Sequence, residues 1–276
     1  MIRELIVVLL GRKTAYRLGR GLYMYSRGDV ANDMDSNGER TVQECVIDAL
    51  RRSALDERVV VFDVGANIGY YSLLARKRLG SNGMVVAFEP IPLLYEKLLK
   101  NLEGVAYLGG VHGVTAYQYA VSEKKCHAAL SIPKGAESND GIATLQECIG
   151  ALDHLKVQTI TLDEVIDKEV CLIKIDVEGN EYAAFLGPRS LLARVMLRNF
   201  SFEDHDVDNS NVIGLLSDYG YKIFSIGWDL NSLFLKPLGE ANKSLVSDAP
   251  NYIATLDVRN LESAIGTVGW NVLHGC

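Results

Sequence analysis

From residue 58 onward, short unbroken apolar runs alternate with longer stretches in which apolar positions recur every three or four residues. "RVVVFDV" (58–64) is continuous, as expected of a strand buried on both faces of a parallel sheet. "YYSLLARKRLG" (70–80) has helical spacing and stops at Gly80, a residue that suits a helix C-terminus. "GMVVAFE" (83–89) predicts a second strand, and "LLYEKLLKNLE" (93–103) a second helix with Leu94, Leu98 and Leu102 on one stripe. "VTAYQYAVS" (114–122) alternates and predicts a third strand, "VCLIKID" (170–176) a fourth and "ARVMLRNFSFE" (193–203) a fifth. "YGYKIFSIG" (219–227) and "PNYIATLDV" (250–258) close the chain as two more strands. Between 123 and 160 the pattern is mixed and predicts short hairpin strands and loops. A helix over 41–52 precedes the first strand.

Such alternation implies right-handed crossovers and a doubly wound α/β sheet. Sheets of this kind bind ligands beyond the carboxyl ends of their strands, near the switch in strand order. The segments to inspect are therefore 63–72, 89–92, 120–124, 176–182 and 203–211.

The first 50 residues read differently. The apolar run Leu5–Leu10 is too short to span a bilayer. Glu4 and the lack of a small-residue cleavage site argue against a signal peptide. Arg3, Arg12, Lys13, Arg17, Arg20 and Arg27 make the segment basic. It reads either as a capping helix or as an amphipathic arm making peripheral contact with an anionic membrane or glycan surface. Residues 26–40 are polar and read as a loop. The expected organisation is an N-terminal helical extension and loop over 1–52 and one main domain over 53–276.

The balance of 28 basic and 35 acidic residues, net −7, argues against a nucleic-acid backbone as partner. Cysteines at 45, 126, 148, 171 and 276 are odd in number and form no CxxC pair. No disulfide framework or zinc site is expected, and a reducing, cytoplasmic compartment is the simpler reading.

The strand ends hold the candidate chemistry. Gly65 and Gly69 flank the first strand-to-helix turn, where glycine lets the backbone pass close to a ligand. A dinucleotide fold would show G-x-G-x-x-G, but here the middle glycine is Asn67 and the last position is Ser72. That turn suits a smaller, zwitterionic ligand end, with Asp63 ordering the turn or holding an ammonium through water. Glu89 lies 20 residues after Gly69 and can accept both hydrogen bonds of a ribose diol, while repelling a ribose phosphate. The pairing points to S-adenosylmethionine rather than NADP and leaves NAD open. Solvated acids at strand ends are the plain alternative.

In "CLIKIDVEGNEY" (171–182), Lys174, Asp176 and Glu178 stand two apart and would share one face of a strand. Asp176 would hold the acceptor or take its proton, with Lys174 tuning it or stabilising an oxyanion. The alternative is a Lys174–Asp176 ion pair followed by solvated Glu178 and Glu181 at a helix N-terminus. After the fifth strand, "FEDHDVDNSN" crowds Glu203, Asp204, His205, Asp206 and Asp208 on the same side of the sheet. His205 is a candidate general base. A magnesium site from Asp176, Glu203 and His205 or Asp206 is conceivable but not predicted, and a solvated acidic loop is the bland reading.

The combination "FDVGANIGYYS" (62–72), "VVAFEPIP" (85–92) and "LIKIDVEGNE" (172–181) resembles the FkbM family of S-adenosylmethionine-dependent methyltransferases. "AVSEKK" (120–125), "NDGIATL" (139–145), "ITLDEVI" (160–166) and "YGYKIF" (219–224) extend the match over roughly 57–257 in the right order. The resemblance implies a class I methyltransferase fold, Rossmann-like, with a seven-stranded, mostly parallel sheet, helices on both faces and the last strand antiparallel. It implies methylation of a hydroxyl on a sugar, glycan or natural product, a small-molecule or glycan acceptor, and S-adenosylhomocysteine as the product. Carried over, Gly65, Asn67 and Gly69 wrap the methionine end, Glu89 binds ribose, Ala120, Val121 and Ser122 lie along adenine, and Asp176 sits near the transferred methyl. Asp63, Ala66, Tyr70, Tyr71, Ser72 and Pro90 fall in the same motifs and complete the cofactor set; Asp176, His205, Lys174 and Glu203 form the catalytic set. Glu203 and His205 keep the family's E-x-H spacing, while Arg198 and Asn199 stand where it is usually apolar. A NAD-dependent oxidoreductase or epimerase, and a non-catalytic S-adenosylmethionine-binding module, are the competing readings; the second is favoured only by the unusual 196–202 strand.

Overall fold

A computed structural model describes residues 38–53, 58–106, 113–132, 153–166, 169–194, 196–206, 209–228, 233–238 and 250–265. The basic N-terminal segment, the motif at 139–145 and Asp208 lie outside the described residues.

Helix α1 (Glu39–Ser53) comes first, then β1 (Val59–Val64), α2 (Tyr70–Leu79), β2 (Gly83–Phe88), α3 (Pro92–Ala106), β3 (Val114–Tyr117) and β4 (Ala120–Val121). A hairpin of β5 (His127–Ile132) and β6 (Asp153–Ile160) leads to β7 (Leu172–Ile175), α4 (Glu181–Leu186) and α5 (Arg189–Ala193). β8 (Asn199–Glu203), α6 (Asn211–Asp218), β9 (Lys222–Trp228), β10 (Leu233–Pro237), β11 (Asn251–Thr255) and α7 (Val258–Ile265) complete the order.

The main sheet runs β10-β9-β11-β8-β7-β1-β2-β3. The central pairs β1–β2, β2–β3, β1–β7 and β7–β8 are parallel, and β11 enters antiparallel between β8 and β9. This is the class I methyltransferase arrangement with its reversed last strand, extended by one further edge strand, β10, antiparallel to β9. A small sheet, β4-β6-β5, stands beside it.

The unbroken apolar runs serve two faces at once. Val60, Phe62 and Val64 of β1 pack with Phe185 of α4, Leu191 and Leu192 of α5, and Val212 and Leu216 of α6. Val59 and Val61 pack on the other side with Val42, Val46 and Ile47 of α1, Tyr71 and Ala75 of α2, and Leu261 of α7. Leu98 and Leu102 of the predicted α3 stripe bury against Ala66 and Ala87.

Four expectations need correction. The 114–122 segment is two strands in two sheets, because the chain leaves the β2 ladder after Tyr117 and re-pairs at Ala120 with Thr159. The fifth strand starts at Asn199, since Ala193 ends α5 and Leu197 makes only an isolated bridge to Val170. The fourth strand stops at Ile175, and Glu178 takes φ 52, so strand alternation does not put Lys174, Asp176 and Glu178 on one face. Finally, a helix follows the strand at 251–255, with Leu261, Ala264 and Ile265 buried.

No helix among the described residues is long and apolar enough to cross a membrane.

Candidate functional site

The β1–α2 turn is built on positive φ angles: 83° at Gly65, 49° at Asn67 and 88° at Gly69. Asparagine tolerates this region better than most side chains, which explains its place in the glycine turn. The glycines are required by neighbours as well as by φ. A Cβ on Gly65 would overlap the carbonyl oxygen of Asp176, and one on Gly69 would lie 2.5 Å from Leu98 Cδ1. Gly65 thus lets the ends of β1 and β7 approach each other, a packing reason added to the ligand reason expected from sequence. The N–H groups of Gly65 and Ala66 both donate to Phe88 O, at 3.0 and 2.9 Å, tying the turn to the end of β2.

Glu89 follows directly. It is buried, with Oε2 accepting from Asn67 N at 2.8 Å and Oε1 from Ile91 N at 2.9 Å. Burial pushes its carboxyl up to about 7, against the two N–H bonds. Each oxygen keeps a further lone pair, so the group can brace the turn and still receive two hydroxyls.

Gly65, Asn67, Glu89, Pro90, Ala120, Val121 and Asp176 line one cleft of about 90 Å³ at the carboxyl ends of β1, β2 and β7. Ile91, Leu94, Tyr119, Leu130, Val177, Glu178 and Asn180 complete its wall. Asn180 Nδ2 donates to Val121 O at 3.3 Å, joining the β7 loop to β4. Tyr119 and Leu130 had no readable signal, because they come from a strand break and a separate sheet. Glu178 and Asn180 stood in the "DVEGN" motif but were not singled out as ligand-facing.

The remaining candidates sit elsewhere. Asp63 is fully buried behind the turn, where Ser72 Oγ donates to its Oδ2 at 2.6 Å and Oδ1 has no partner among the described residues. Burial raises its pKa, partly opposed by Lys174 and by the Ser72 hydroxyl. Tyr71 is buried, its hydroxyl unpartnered among the described residues and its pKa raised by burial and by Asp63 and Glu39, whereas Tyr70 points out at 73% exposure. Ala66 and Gly69 pack toward α3, and Ser122 N donates to Ile160 O at 3.0 Å.

Lys174 is in register with Asp63 on β1 and Ser201 on β8. Its buried Nζ donates to Asp176 Oδ2 at 2.8 Å and stands 6.0 Å from the Tyr71 ring centroid. Burial opposes its charge, but Asp176, Glu39 and Asp63 outweigh that and hold the ammonium above its ordinary value. From α1, Gln43 Nε2 donates to Glu39 Oε1 at 2.7 Å and to Ser201 Oγ at 3.1 Å.

Glu203 and His205 line a second cavity of about 490 Å³, together with Glu181, Tyr182, Asp204 and Asp206. Partial burial, with Asp176 and Glu178 adding, pushes Glu203 up to about 7. His205 Nε2 stands 3.4 Å from Glu203 Oε1 on a side chain 76% exposed. Asp204 accepts from Asp206 N at 3.0 Å and from the Ser210 hydroxyl that caps α6. Among the described residues, no group of three or more His, Cys, Asp and Glu is placed to hold a metal ion. Arg198 lies at the amino end of β8, far along the strand from both cavities, and forms a bidentate ion pair with Glu169. It lines a separate cleft of about 150 Å³ with Arg58, Glu169 and Asp257. The 196–202 segment therefore does not intrude on the acceptor side.

The glycine turn and, in the same cleft, a buried carboxylate with lone pairs to spare fit a nucleoside carrying an amino-acid end. Residues 63–223 match the model of the "Methyltransferase FkbM domain". The 31-O-demethyl-FK506 methyltransferase FkbM of Streptomyces tacrolimicus is 28% identical in a 198-residue alignment that covers 59% of this chain and 73% of that one. A methyltransferase FkbM crystal structure from Methylobacillus flagellatus superposes with a TM-score of 0.49 at 15% identity, covering 74% of this chain but only 46% of that one. An S-adenosylmethionine-dependent O-methyltransferase structure from Thermotoga maritima superposes at 0.40 with 13% identity, covering 76% of this chain and 64% of that one.

Proposed function

The chain belongs to the FkbM methyltransferase family and is an S-adenosylmethionine-dependent methyltransferase, and we propose that it methylates a hydroxyl oxygen of a sugar, glycan or natural product. The observation that carries this is a pair of cavities at the carboxyl end of the sheet whose linings share Glu178. One holds the glycine turn, Glu89 and Asp176, and the other is broad and rich in hydrogen-bond acceptors. The Streptomyces relative, named for action on 31-O-demethyl-FK506, supports an oxygen acceptor on a natural product.

The donor supplies a methyl group already activated on a sulfonium, so the protein's main work is positioning, which can lower the barrier by several kcal/mol. Gly65 and Asn67 shape the methionine end, with Asp63 behind them. Glu89 accepts the ribose hydroxyls, and Ala120 and Val121 form an apolar shelf for the base. Lys174 holds Asp176 by an ion pair, fixing one carboxylate oxygen and leaving the other for the acceptor. The second cavity offers Tyr182, Glu203, Asp204 and Asp206 to a polyhydroxylated acceptor. The net charge of −7 and the acidic lining disfavour a nucleic acid there, and the irregular cysteines support a cytoplasmic setting.

Methyl-labelled S-adenosylmethionine incubated with monosaccharides, glycosides and macrolide polyols tests the reading. Label on a hydroxyl oxygen of one class is the expected result. Transfer confined to nitrogen, carbon or carboxylate acceptors in a matched panel would replace it.

A further inference from the structure

Among the described residues, Glu178 alone lines both the cofactor cleft and the acid-rich cavity. We propose that Glu178 is the catalytic carboxylate at the methyl-transfer point, facing the sulfonium from one side and taking the proton of the acceptor hydroxyl on the other. This rests on the methyltransferase reading above and adds a residue and a role to it.

Three further observations support the assignment. First, Glu178 adopts φ 52, followed by Gly179 at φ 93. A non-glycine residue in the left-handed region is uncommon, and such backbone strain gathers at active sites. Here the turn carries the chain from β7 into α4 and sets Glu178 between the cavities.

Second, Asp176, Glu181, Asp204 and Asp206 are already engaged, and Glu203, 3.4 Å from His205 Nε2, lines the second cavity only. Asp176 pairs with Lys174. Glu181 Oε1 accepts from Val177 N at 3.3 Å and Gly179 N at 3.1 Å, closing the same loop. Asp204 accepts from Ser210 and Asp206 N, and Asp206 from Asn209. No hydrogen bond or ion pair engages the Glu178 carboxyl among the described residues. His205, the base expected from sequence, stands on the outer rim of the second cavity and lines no part of the first.

Third, Glu178 can exchange a proton near neutrality. Partial burial, with Asp176 and Glu181 adding to it and Lys174 opposing, raises its carboxyl to about 7. The charged groups around it are Asp176 and Lys174 at the end of β7, Glu181 on α4, Glu203 and His205 at the end of β8, and Asp204 and Asp206 beyond. A base with a pKa near the working pH is the efficient one for proton transfer.

The step balances. The acceptor oxygen forms a bond to the methyl carbon as the carbon–sulfur bond breaks, with that bond's electron pair remaining on sulfur. The hydroxyl proton passes to a Glu178 oxygen and then to solvent.

The test compares S-adenosylmethionine, which carries a positive sulfur, with neutral S-adenosylhomocysteine. Titration calorimetry on the full chain from about pH 5.5 to 8.5 measures both dissociation constants. Preference for the charged ligand should rise about tenfold as Glu178 ionises. In Glu178→Gln the preference should be flat with pH, and in Glu203→Gln the rise should persist. A rise that survives Glu178→Gln, or that His205→Ala abolishes instead, overturns the assignment. Failure of the wild type to bind either ligand at any pH is a different result and overturns the methyltransferase reading itself. With any acceptor labelled in the panel above, Glu178→Gln should slow turnover about 100-fold or more, while S-adenosylhomocysteine affinity stays within about twofold. Wild-type turnover in that variant removes Glu178 from the chemistry.

Discussion

Each carboxylate oxygen of Glu89 accepts one backbone N–H, from Asn67 or Ile91, before any ligand arrives. The residue therefore braces the glycine turn that it also serves. Sequence placed it at a strand tip with a diol to receive; the bracing bonds depend on where two separate loops meet. Its raised carboxyl has a consequence with a definite sign. A carboxyl that binds its proton more tightly when folded adds stability below its ordinary value near 4.5, and that contribution is lost as pH rises through about 7. The proposed diol contact needs the ionised form, so S-adenosylhomocysteine should bind more tightly across the same window in which the free protein loses stability. Glu89→Gln should remove most of that pH dependence and weaken binding by about 1–3 kcal/mol above neutrality. Calorimetry at several pH values checks it, and an affinity that matches wild type at pH 8 would withdraw the ribose role. Gly65 gives a complementary lesson. Its motif announced a close approach, and the atom approached in the structure is the Asp176 carbonyl.

Among the elements, those that carry their own periodicity were legible: β1, α2, β2 and the Leu94–Leu98–Leu102 stripe of α3 fall where the pattern puts them. Elements whose identity depends on a partner were not. The alternation at 114–122 looks like one strand, but hydrogen bonding to β2 ends at Tyr117 and pairing with β6 starts at Ala120. The apolar residues before Asn199 are shared between α5 and an isolated bridge, so periodicity ran the fifth strand too far back. β10 exists by virtue of the edge of β9. Helix α3 also supports the site, because Leu98 fills the space opposite Gly69. Truncation of this fully buried side chain by Leu98→Ala should destabilise the protein by about 2–5 kcal/mol in urea unfolding. A loss below about 1 kcal/mol would show that α3 is not the prop of the turn.

At the scale of the whole molecule, helices on both faces leave the carboxyl edge of the parallel strands as the place where loops converge. Both cavities open there, and Arg198, the residue that favoured a binding module, lies at the other edge. Ligand linkage gives the global prediction: S-adenosylhomocysteine at 100 times its dissociation constant should stabilise the fold by about 2.7 kcal/mol. NAD at the same concentration should leave the melting temperature unchanged, and a comparable shift with NAD would revive the oxidoreductase reading. The early strand–helix alternation, the family resemblance and the acids worth inspecting are determined by the sequence alone, because periodicity and turn chemistry act over a few neighbouring residues. Which of those acids share a cavity, which are held by a lysine or a backbone N–H, and that Glu178 lines two pockets were decided only by tertiary structure. Those outcomes depend on distances between segments far apart in the chain, and no local pattern encodes them.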